Sequence, residues 1–237
     1  MLSLARLLVA AARHPLYRDW DFSLVEEFTD AAWRRLPSLT REQLRQNEET
    51  RPAASEILFH SSGTTGAPSL VRFGPEDLGR VGELCARFAR LEGVSGRSRV
   101  MVLLPMGLWT AGKITVEGHR RVGAEVFPVD LHGGVEAWQR MADLIRPSVI
   151  SSTPSVLAAW APHYRGPRLE LVETTGEPLL IRDRHLIEAR FGGFVLDAYG
   201  LSECVVGTEC PVRAGFHYWP DATGVEVLAL DSDTAVP

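Results

Sequence analysis

Between residues 56 and 198, short apolar runs alternate with longer segments in which apolar and polar residues are mixed. The short runs are EILFH, SLVRF, RVMVLLP, EVFPV, VISS, LELVE and FVLDA. Each fits a buried or half-buried strand, and the longer segments have the length and spacing of helices. Strands that alternate with helices in this way predict an α/β fold, with a mostly parallel sheet covered by helices on both faces.

The clearest helical pattern is GPEDLGRVGELCARFARLEG, which has Pro75 in its first turn and an apolar residue at every third or fourth position. Further helices are predicted in AGKITVEGHRRVGA, in GVEAWQRMADLI, from Thr153 to Trp160, and in PLLIRDRHLIEARFGG. Before the first strand the chain reads as helical, and Thr40 is a predicted N-cap with Gln43 three residues later. We expect residues 1–55 to form a helical segment packed on an α/β core of residues 56–237, whose last stretch adds one or two antiparallel strands.

Composition excludes several classes of protein. The 237 residues carry a formal net charge of −5 and show no Lys/Arg stripe, which argues against nucleic acid as the main partner. Three scattered cysteines are too few for a disulfide framework, so a reducing cytoplasm is the expected setting. The N-terminal MLSLARLLVAAARHP is interrupted by Arg6, which favours an amphipathic helix over a signal peptide. No apolar run approaches the ~20 residues that span a bilayer, so no membrane partner is expected.

Four predicted strands are followed by small, hydroxyl-bearing or acidic residues. DLHGG follows EVFPV, TPS follows VISS, TTGEP follows LELVE, and YGLSE follows FVLDA. In open α/β sheets, ligands bind at the carboxyl ends of the strands. These four strand ends therefore predict a shared pocket edge.

A fifth polar segment, SSGTTGAPS at residues 61–69, joins the first two predicted strands. Backbone N–H groups in a glycine-rich turn, together with hydroxyls, suit the binding of phosphate. A Walker loop needs the G-x-x-x-x-G-K-[ST] spacing between a strand and a helix, and this segment has neither that spacing nor the lysine. Taken alone, the segment is also compatible with a flexible hairpin turn.

Together these motifs resemble a known family. SSGTTGAP, TTGEP and YGLSE, in that order, resemble the adenylate-forming superfamily of acyl-CoA synthetases and adenylation domains. LPSLTREQLR, TPSVL, GEPL, DAYGLSE and TEC…GFHYW are similar to the phenylacetate–CoA ligase branch, and the resemblance covers roughly residues 36–220. It implies the fold of the large N-terminal domain of these enzymes and the ATP-dependent activation of a carboxylic acid to an acyl-adenylate, with an aromatic acid as the expected substrate.

The resemblance also implies roles for individual residues. The phosphates of ATP would be held by Ser61, Ser62, Gly63, Thr64, Thr65 and Gly66. The rest of the nucleotide would lie along Gly176, Glu177, Pro178, Asp197, Tyr199 and Gly200, with Asp197 accepting from the adenine amino group and Tyr199 stacking near the ring. Ser202 would touch the α-phosphate and Glu203 would hold Mg²⁺, so Thr65, Ser202 and Glu203 are the catalytic candidates. The acyl pocket would be lined by Trp109, Thr110, His132, Gly133, Gly134 and Pro154.

The chemistry agrees with these roles. A carboxylate that attacks an α-phosphate brings two anions together, so the site has to offset charge with a metal and oriented donors. Glu203 supplies one metal ligand, and the hydroxyl-rich loop supplies donors. Trp109 beside residues without side-chain bulk suits a flat aromatic acid.

The chain departs from the family pattern in two places. Ser69 stands where the family loop usually carries a lysine; Lys113 is a candidate replacement or a partner for an acidic substrate, although a solvated lysine is the favoured interpretation. The sequence ends at DSDTAVP, where related enzymes continue into a ribose-binding Asp, a hinge and a C-terminal domain with a catalytic Lys. We therefore expect that this chain alone does not form a thioester, and CoA, a carrier protein or a complementing polypeptide remain open as partners.

Two further alternatives stay open at this point. Cys210 and His217 are seven residues apart, with Cys204 nearby, but the spacing favours buried thiols and a packing histidine over a structural Zn²⁺ site. The chain could also be a non-catalytic nucleotide- or acyl-binding module, one half of a split enzyme, or a scaffold for another subunit. The resemblance leads us to expect a homodimer.

Overall fold

The structure is a computed structural model that describes residues 39–46, 57–61, 69–107 and 109–229, together with Ala12 and Tyr17. Its contacts divide the chain into two compact units, residues 55–218 and a second unit formed by residues 1–54 and 219–237. The predicted N-terminal amphipathic helix falls largely outside the described residues. The packing of residues 1–55 on the core stays a prediction.

In the smaller unit, helix α1 spans Arg41–Gln46. Its predicted cap is confirmed, because the Gln43 backbone N–H donates to Thr40 Oγ1 at 3.2 Å. In return, Gln43 Oε1 accepts from the Thr40 backbone N–H at 2.8 Å. This reciprocal pair is a capping box, which satisfies two of the donors that a helix N-terminus leaves free.

The larger unit contains a hairpin and a six-stranded sheet. In chain order its elements are β1 Ile57–His60, β2 Leu70–Phe73, α2 Pro75–Glu92, β3 Arg99–Leu103, α3 Thr110–Arg121, β4 Glu125–Pro128, α4 Gly134–Ile145, β5 Val149–Ser152, α5 Pro154–Trp160, a 3₁₀ turn Ala161–His163, β6 Leu171–Thr175, α6 Ile181–Phe191, β7 Phe194–Gly200 and β8 Val205–Thr208. β1 and β2 pair antiparallel. The large sheet has the order β4-β3-β5-β6-β7-β8 and is parallel except for β8. The predicted, mostly parallel sheet is confirmed.

Helices cover both faces of this sheet, as predicted. α4, α5 and α6 pack on one face, around Trp160, whose side chain is fully buried. The rings of Trp138, Tyr164 and Phe191 meet Trp160 edge-on at centroid distances of 5.4–6.2 Å. On the opposite face, α2 and α3 pack over an aliphatic cluster that includes Val100 and is drawn from the inner strands. Two apolar cores therefore hold the sheet between helical layers.

The glycines of α3 are explained by close packing. A Cβ on Gly118 would lie 2.5 Å from Cys85 Cβ of α2, and one on Gly112 would lie 2.4 Å from the Pro105 carbonyl oxygen. Each interior glycine costs a helix about 1 kcal/mol relative to alanine. Here it allows α3 to approach α2 and the loop after β3.

Some element boundaries differ from those predicted. β8 was not predicted, although Val205, Val206 and Thr208 are β-branched residues of the kind found in strands. β6 runs to Thr175, two residues beyond the predicted end, because its pairing with β7 continues to Ala198. In the described part of the C-terminal stretch, the pairing with the sheet is a single antiparallel bridge between Thr208 and His217. Among the described residues, no helix is both long enough and apolar enough to cross a bilayer.

Candidate functional site

The sheet topology creates a crevice at the carboxyl ends of β3 and β5. The connection from β3 runs through α3 to the edge strand β4, whereas the connection from β5 runs through α5 towards β6. Since α3 and α5 cover opposite faces, the chain separates between these two strands, which is where open α/β sheets bind ligands. Leu103 pairs with Ser152 at this edge, so Trp109 and Thr110, at the start of α3, and Pro154, at the start of α5, flank the crevice.

Glu177 joins the strand ends of β5 and β6. Its carboxylate accepts from the Ser155 backbone N–H at 3.0 Å and from the Ser155 hydroxyl at 2.8 Å. Gly176 has φ of +83°, a left-handed conformation that glycine adopts without strain, and it turns the chain towards α5. The TPS and TTGEP motifs thus lie together, as predicted, and the exposed Pro178 follows them.

Asp197 lies on β7, beside the end of β6. The Thr174 hydroxyl donates to Asp197 Oδ1 at 2.7 Å, and the Asp197 backbone N–H donates to Glu209 Oε2 at 2.9 Å. Burial raises the pKa of Asp197, the Thr174 hydrogen bond acts in the opposite direction, and the Glu209 charge adds to the increase. Side-chain and backbone contacts therefore both fix the position of this carboxylate.

A partly buried ion pair lies behind Asp197. Arg184 Nη2 donates to both carboxylate oxygens of Glu209, at 2.9 and 2.8 Å, and Arg184 also donates through Nη1 to the Val195 carbonyl. The two side chains are only 13% and 12% exposed. Charge-assisted bonds of this kind are stronger than neutral ones and hold a defined geometry.

The YGLSE segment forms the turn between β7 and β8. The pairing shifts between Tyr199 and Gly200, as in a β-bulge, and the Leu201 N–H then donates to the Cys204 carbonyl at 2.7 Å. Bulges are common beside functional sites because they redirect the chain. The Tyr199 side chain is 53% exposed, and its ring centroid lies 6.3 Å from that of Phe216.

Ser202 and Glu203 occupy the tip of this turn. The Thr110 hydroxyl donates to the Ser202 carbonyl at 3.5 Å, which connects the turn to the start of α3. Glu203 is exposed. The structure thus brings the predicted catalytic pair next to one wall of the crevice.

The hairpin that carries the SSGTTGAPS segment is described at its base. The Ser61 N–H donates to the Ser69 carbonyl at 2.9 Å, and the Ser69 N–H donates to Ser61 Oγ at 2.9 Å. Residues 62–68 lie outside the described residues, and with them the predicted phosphate-binding residues Ser62–Gly66, Thr65 among them. Lys113 is exposed, and its Nζ lies 5.6 Å from the centroid of the Phe59 ring, next to this base. Its role as the replacement cation stays a prediction.

His132, Gly133 and Gly134 lie at the end of β4, the edge strand. The His132 side chain is 93% exposed, and its Nδ1 lies 2.6 Å from Asp130 Oδ1. This hydrogen bond lowers the pKa of Asp130. Because β3 separates β4 from β5, the described contacts do not connect His132 to the crevice, and its place in the acyl pocket stays a prediction.

The zinc alternative is not supported. His217 Nε2 lies 3.1 Å from Cys210 Sγ, but in the described part of the chain no three His, Cys, Asp or Glu residues are arranged to hold a metal ion. Cys204 is exposed and Cys210 is buried. A hydrogen-bonded Cys–His pair accounts for the contact.

The structure adds residues that the sequence analysis did not single out: Ser155, Thr174, Arg184 and Glu209. Ser155 and Thr174 lie within or beside the quoted motifs, so a hydroxyl next to a strand end was their available signal. Glu209 follows β8, and Arg184 is one of several charged residues in α6. Nothing local distinguishes Arg184, because its role depends on a partner 25 residues away.

Comparison with known proteins identifies the family. The sequence model of the AMP-binding enzyme family matches residues 9–231. The phenylacetate-coenzyme A ligase of Escherichia coli (strain K12) is 30% identical over 213 residues, which cover 79% of this chain and 48% of the relative. The corresponding ligase of Thermus thermophilus is 33% identical over 189 residues, with coverages of 75% and 42%. The chain thus spans about half the length of the curated relatives it matches.

Solved structures agree at the level of the fold. The open conformation of 2-hydroxyisobutyryl-CoA ligase, in complex with 2-HIB-AMP and CoA, superposes with a TM-score of 0.85 at 21% identity, over 99% of this chain and 57% of that one. An anthranilate CoA ligase in complex with anthranoyl-AMP has a TM-score of 0.60 at 16% identity, with coverages of 76% and 36%. The matched sequence and the shared architecture establish that this chain belongs to the AMP-binding enzyme family.

Proposed function

We propose that this chain binds ATP and an aromatic carboxylic acid and activates the acid as an acyl-adenylate. A carboxylate oxygen attacks the α-phosphorus, a carbon–oxygen–phosphorus linkage forms, and pyrophosphate leaves with the electrons of the broken bond. The observation that carries the proposal is that Glu177, Asp197 and Ser202 lie at or near the carboxyl ends of β6 and β7, on the sheet edge where β3 and β5 also end. Glu177 contacts Ser155 at the start of α5, and Ser202 contacts Thr110 at the start of α3.

In the proposal, the nucleotide lies along β6 and β7. Asp197 is held by Thr174 and accepts from the adenine amino group, while the half-exposed Tyr199 ring provides a stacking surface. The exposed backbone of residues 176–178 contacts the ribose and the purine edge. The hairpin loop that begins at Ser61 holds the phosphates with its backbone N–H groups and hydroxyls.

The acid lies at the start of α3 and α5. Trp109 and Pro154 provide flat apolar walls, and Gly133 and Gly134 add no side-chain bulk, so an aryl ring fits better than a branched chain. The relatives named phenylacetate-coenzyme A ligase support an arylacetate as the first candidate. CoA is the corresponding candidate for the final acceptor.

Magnesium fits the residues present. Mg²⁺ in nucleotide sites is usually bound by one or two carboxylates together with substrate phosphates, and the exposed Glu203 is one such carboxylate. When bound, the ion supplies positive charge against the phosphate oxygens. The Thr110 hydroxyl holds the turn that carries Glu203, and the neighbouring Ser202 hydroxyl donates to the α-phosphate.

The test is carboxylate-dependent exchange of pyrophosphate into ATP, with phenylacetate, benzoate and acetate as acids. We expect exchange to be fastest with phenylacetate. Asp197→Asn should weaken ATP binding at least tenfold, about 1.4 kcal/mol, because an amide has one acceptor oxygen, and when Thr174 donates to that oxygen the amide NH₂ faces the adenine amino group. The matched control is Asp183→Asn, on α6, which should bind ATP like the wild type.

Other outcomes identify the alternatives. ATP binding without exchange for any acid indicates a nucleotide-binding module. Exchange that starts only when a complementing polypeptide is added indicates a split enzyme. A chain that binds neither ATP nor any of the acids refutes the proposal.

A further inference from the structure

Three titratable side chains are buried together between the sheet and its α2/α3 layer, away from the crevice. They are Glu92, the last residue of α2, His119 of α3 and Glu173 of β6, and they are 8%, 4% and 5% exposed. Buried ionisable groups are costly unless they are paired and hydrogen bonded. The proposed reaction does not use any of them, so their burial needs another explanation.

His119 and Glu173 form an ion pair. His119 Nδ1 lies 2.7 Å from the Thr115 carbonyl oxygen, which can only accept, so Nδ1 carries a proton. His119 Nε2 lies 2.8 Å from Glu173 Oε1, and this bond requires a second proton between the two groups. Desolvation lowers the pKa of His119, but the charge and hydrogen bond of Glu173 outweigh it and raise that pKa overall. Desolvation raises the pKa of Glu173, but the charge and hydrogen bond of His119, together with interactions with Glu92 and Ser151, outweigh it and lower that pKa overall.

Glu92 completes the cluster as a neutral acid. It accepts a hydrogen bond from the Thr208 hydroxyl. Burial, together with the charge of the nearby Glu173, raises the pKa of Glu92 well above its usual value, so Glu92 keeps its proton. The nearby Cys85 thiol of α2, whose pKa burial raises to about 12, stays neutral. The cluster therefore holds one cation, one anion and one acid, without net charge.

The cluster is connected to Asp197 in two ways, through Thr174 on β6 and through Thr208 on β8. Glu173 directly precedes Thr174, whose hydroxyl donates to the Asp197 carboxylate. The single hydroxyl proton of Thr208 is donated to Glu92, and the longer 3.3 Å contact of the same oxygen with the Asp197 carbonyl oxygen places Thr208 beside Asp197. The cluster thus fixes the strands on both sides of β7 at the level of Asp197.

We infer that Glu92, His119 and Glu173 are positioning residues that hold Asp197 in place by fixing β6 and β8 on either side of it. The inference rests on the proposed function in one respect, which is that its binding measurement uses ATP as the ligand. The position of Asp197 can be measured without nucleotide. Its physical basis is that a buried, neutral set of hydrogen bonds permits few arrangements of the strands that carry it.

The first measurement is the titration of the Asp197 carboxyl carbon by NMR in the nucleotide-free protein. His119→Gln and Glu173→Gln each remove the charge pair, so they should loosen β6 and weaken the Thr174 bond to Asp197. Because that bond favours the charged carboxylate, the pKa of Asp197 should increase further in both variants. Glu83→Gln, on the exposed side of α2, is the matched control and should leave the titration unchanged.

The second measurement is the ATP affinity across pH for the same proteins. We expect His119→Gln and Glu173→Gln to weaken binding about tenfold at pH 6, with the difference shrinking as His119 loses its proton in the wild type at higher pH. Glu92→Gln should retain affinity, because an amide reproduces the acceptor and donor of a neutral acid, whereas Glu92→Ala should not. Thr208→Ser keeps the hydroxyl and should retain ATP affinity, whereas Thr208→Val removes the hydroxyl and should weaken ATP binding.

The two measurements separate the possible failures. If the wild type does not bind ATP but the Asp197 titration responds as expected, the proposed function fails and the positioning role stands. If folded His119→Gln and Glu173→Gln leave both the Asp197 titration and the pH profile of ATP binding unchanged, the cluster only stabilises the fold and the inference is overturned.

Discussion

The Arg184–Glu209 pair gives the sharpest quantitative test of how the site is held. Glu209→Gln keeps the shape of the side chain but removes its charge, while Arg184 stays positively charged and only 13% exposed. Removing one partner of a buried ion pair typically costs about 3–5 kcal/mol, because the other charge is left without compensation. The glutamine carbonyl can still accept from Arg184 or from the Asp197 N–H. We therefore expect the lower limit of that range, about 3 kcal/mol of unfolding free energy.

The assay is urea denaturation at neutral pH, with Glu76→Gln as the control. Glu76 also pairs with an arginine, Arg80, at a similar distance of 2.7 Å, but the two side chains are 83% and 49% exposed. Surface pairs contribute about 0–1 kcal/mol, so this variant should unfold almost like the wild type. The two substitutions differ mainly in burial and in the contact that Glu209 makes with Asp197. If Glu209→Gln lost as little unfolding free energy as Glu76→Gln, solvent would be screening the Arg184 pair and the reasoning would be refuted.

Three further predictions concern stability. Because the pKa of His119 is raised by folding, its contribution to stability is complete below about pH 6.5 and is lost as the pH rises through the folded value. Because the pKa of Glu173 is lowered by folding, its contribution to stability is complete above about pH 4.5 and is lost as the pH falls. Urea unfolding should therefore show the double variant His119→Gln/Glu173→Gln destabilised most between these limits, and a larger deficit at about pH 8.5 than at about pH 5.5 would contradict it. Gly118→Ala should lose about 1–3 kcal/mol from overpacking against Cys85. Gly79→Ala, with open space around its Cβ, should gain up to about 1 kcal/mol.

Much of the fold follows from local pattern, because alternating strands and helices leave few ways to bury their apolar faces. The strands that the sequence pattern does not predict correctly are those whose ends depend on pairing with a neighbouring strand. Val205–Thr208 is too short to stand out, and it becomes a strand because β7 offers it an unpaired edge. The end of β6 at Thr175 is likewise set by pairing with Ala198, not by the LELVE run itself.

The residues of the candidate site likewise fall into two groups, those that local sequence indicates and those that depend on long-range contacts. Gly176 and Glu177 could be placed because residues after parallel strands share one edge of the sheet whatever the details of packing. Asp197 lies within its strand and is indicated by the family resemblance of DAYGLSE. Arg184 and Glu209 could not be predicted, since neither lies in a pattern until the fold brings α6 to the segment after β8. The residues proposed to touch a ligand lie at or near strand ends, within recognisable motifs, and are visible in sequence. Residues that hold them are constrained by long-range contacts and are not.

Glu173 shows how far such a pattern extends. Side chains in a strand alternate between faces, so Glu173 has to share a face with Leu171, which lies in the α2/α3 core, while Val172 faces the other core. Alternation alone therefore predicts a carboxylate buried under helices, and burial predicts a partner. What it does not predict is which partner: His119 belongs to a helix that reaches β6 only because Gly118 allows α3 to lie against α2. The ion pair under the sheet thus depends on a glycine that carries no charge, and Gly118→Ala should raise the exposure of His119 to solvent as well as lower stability.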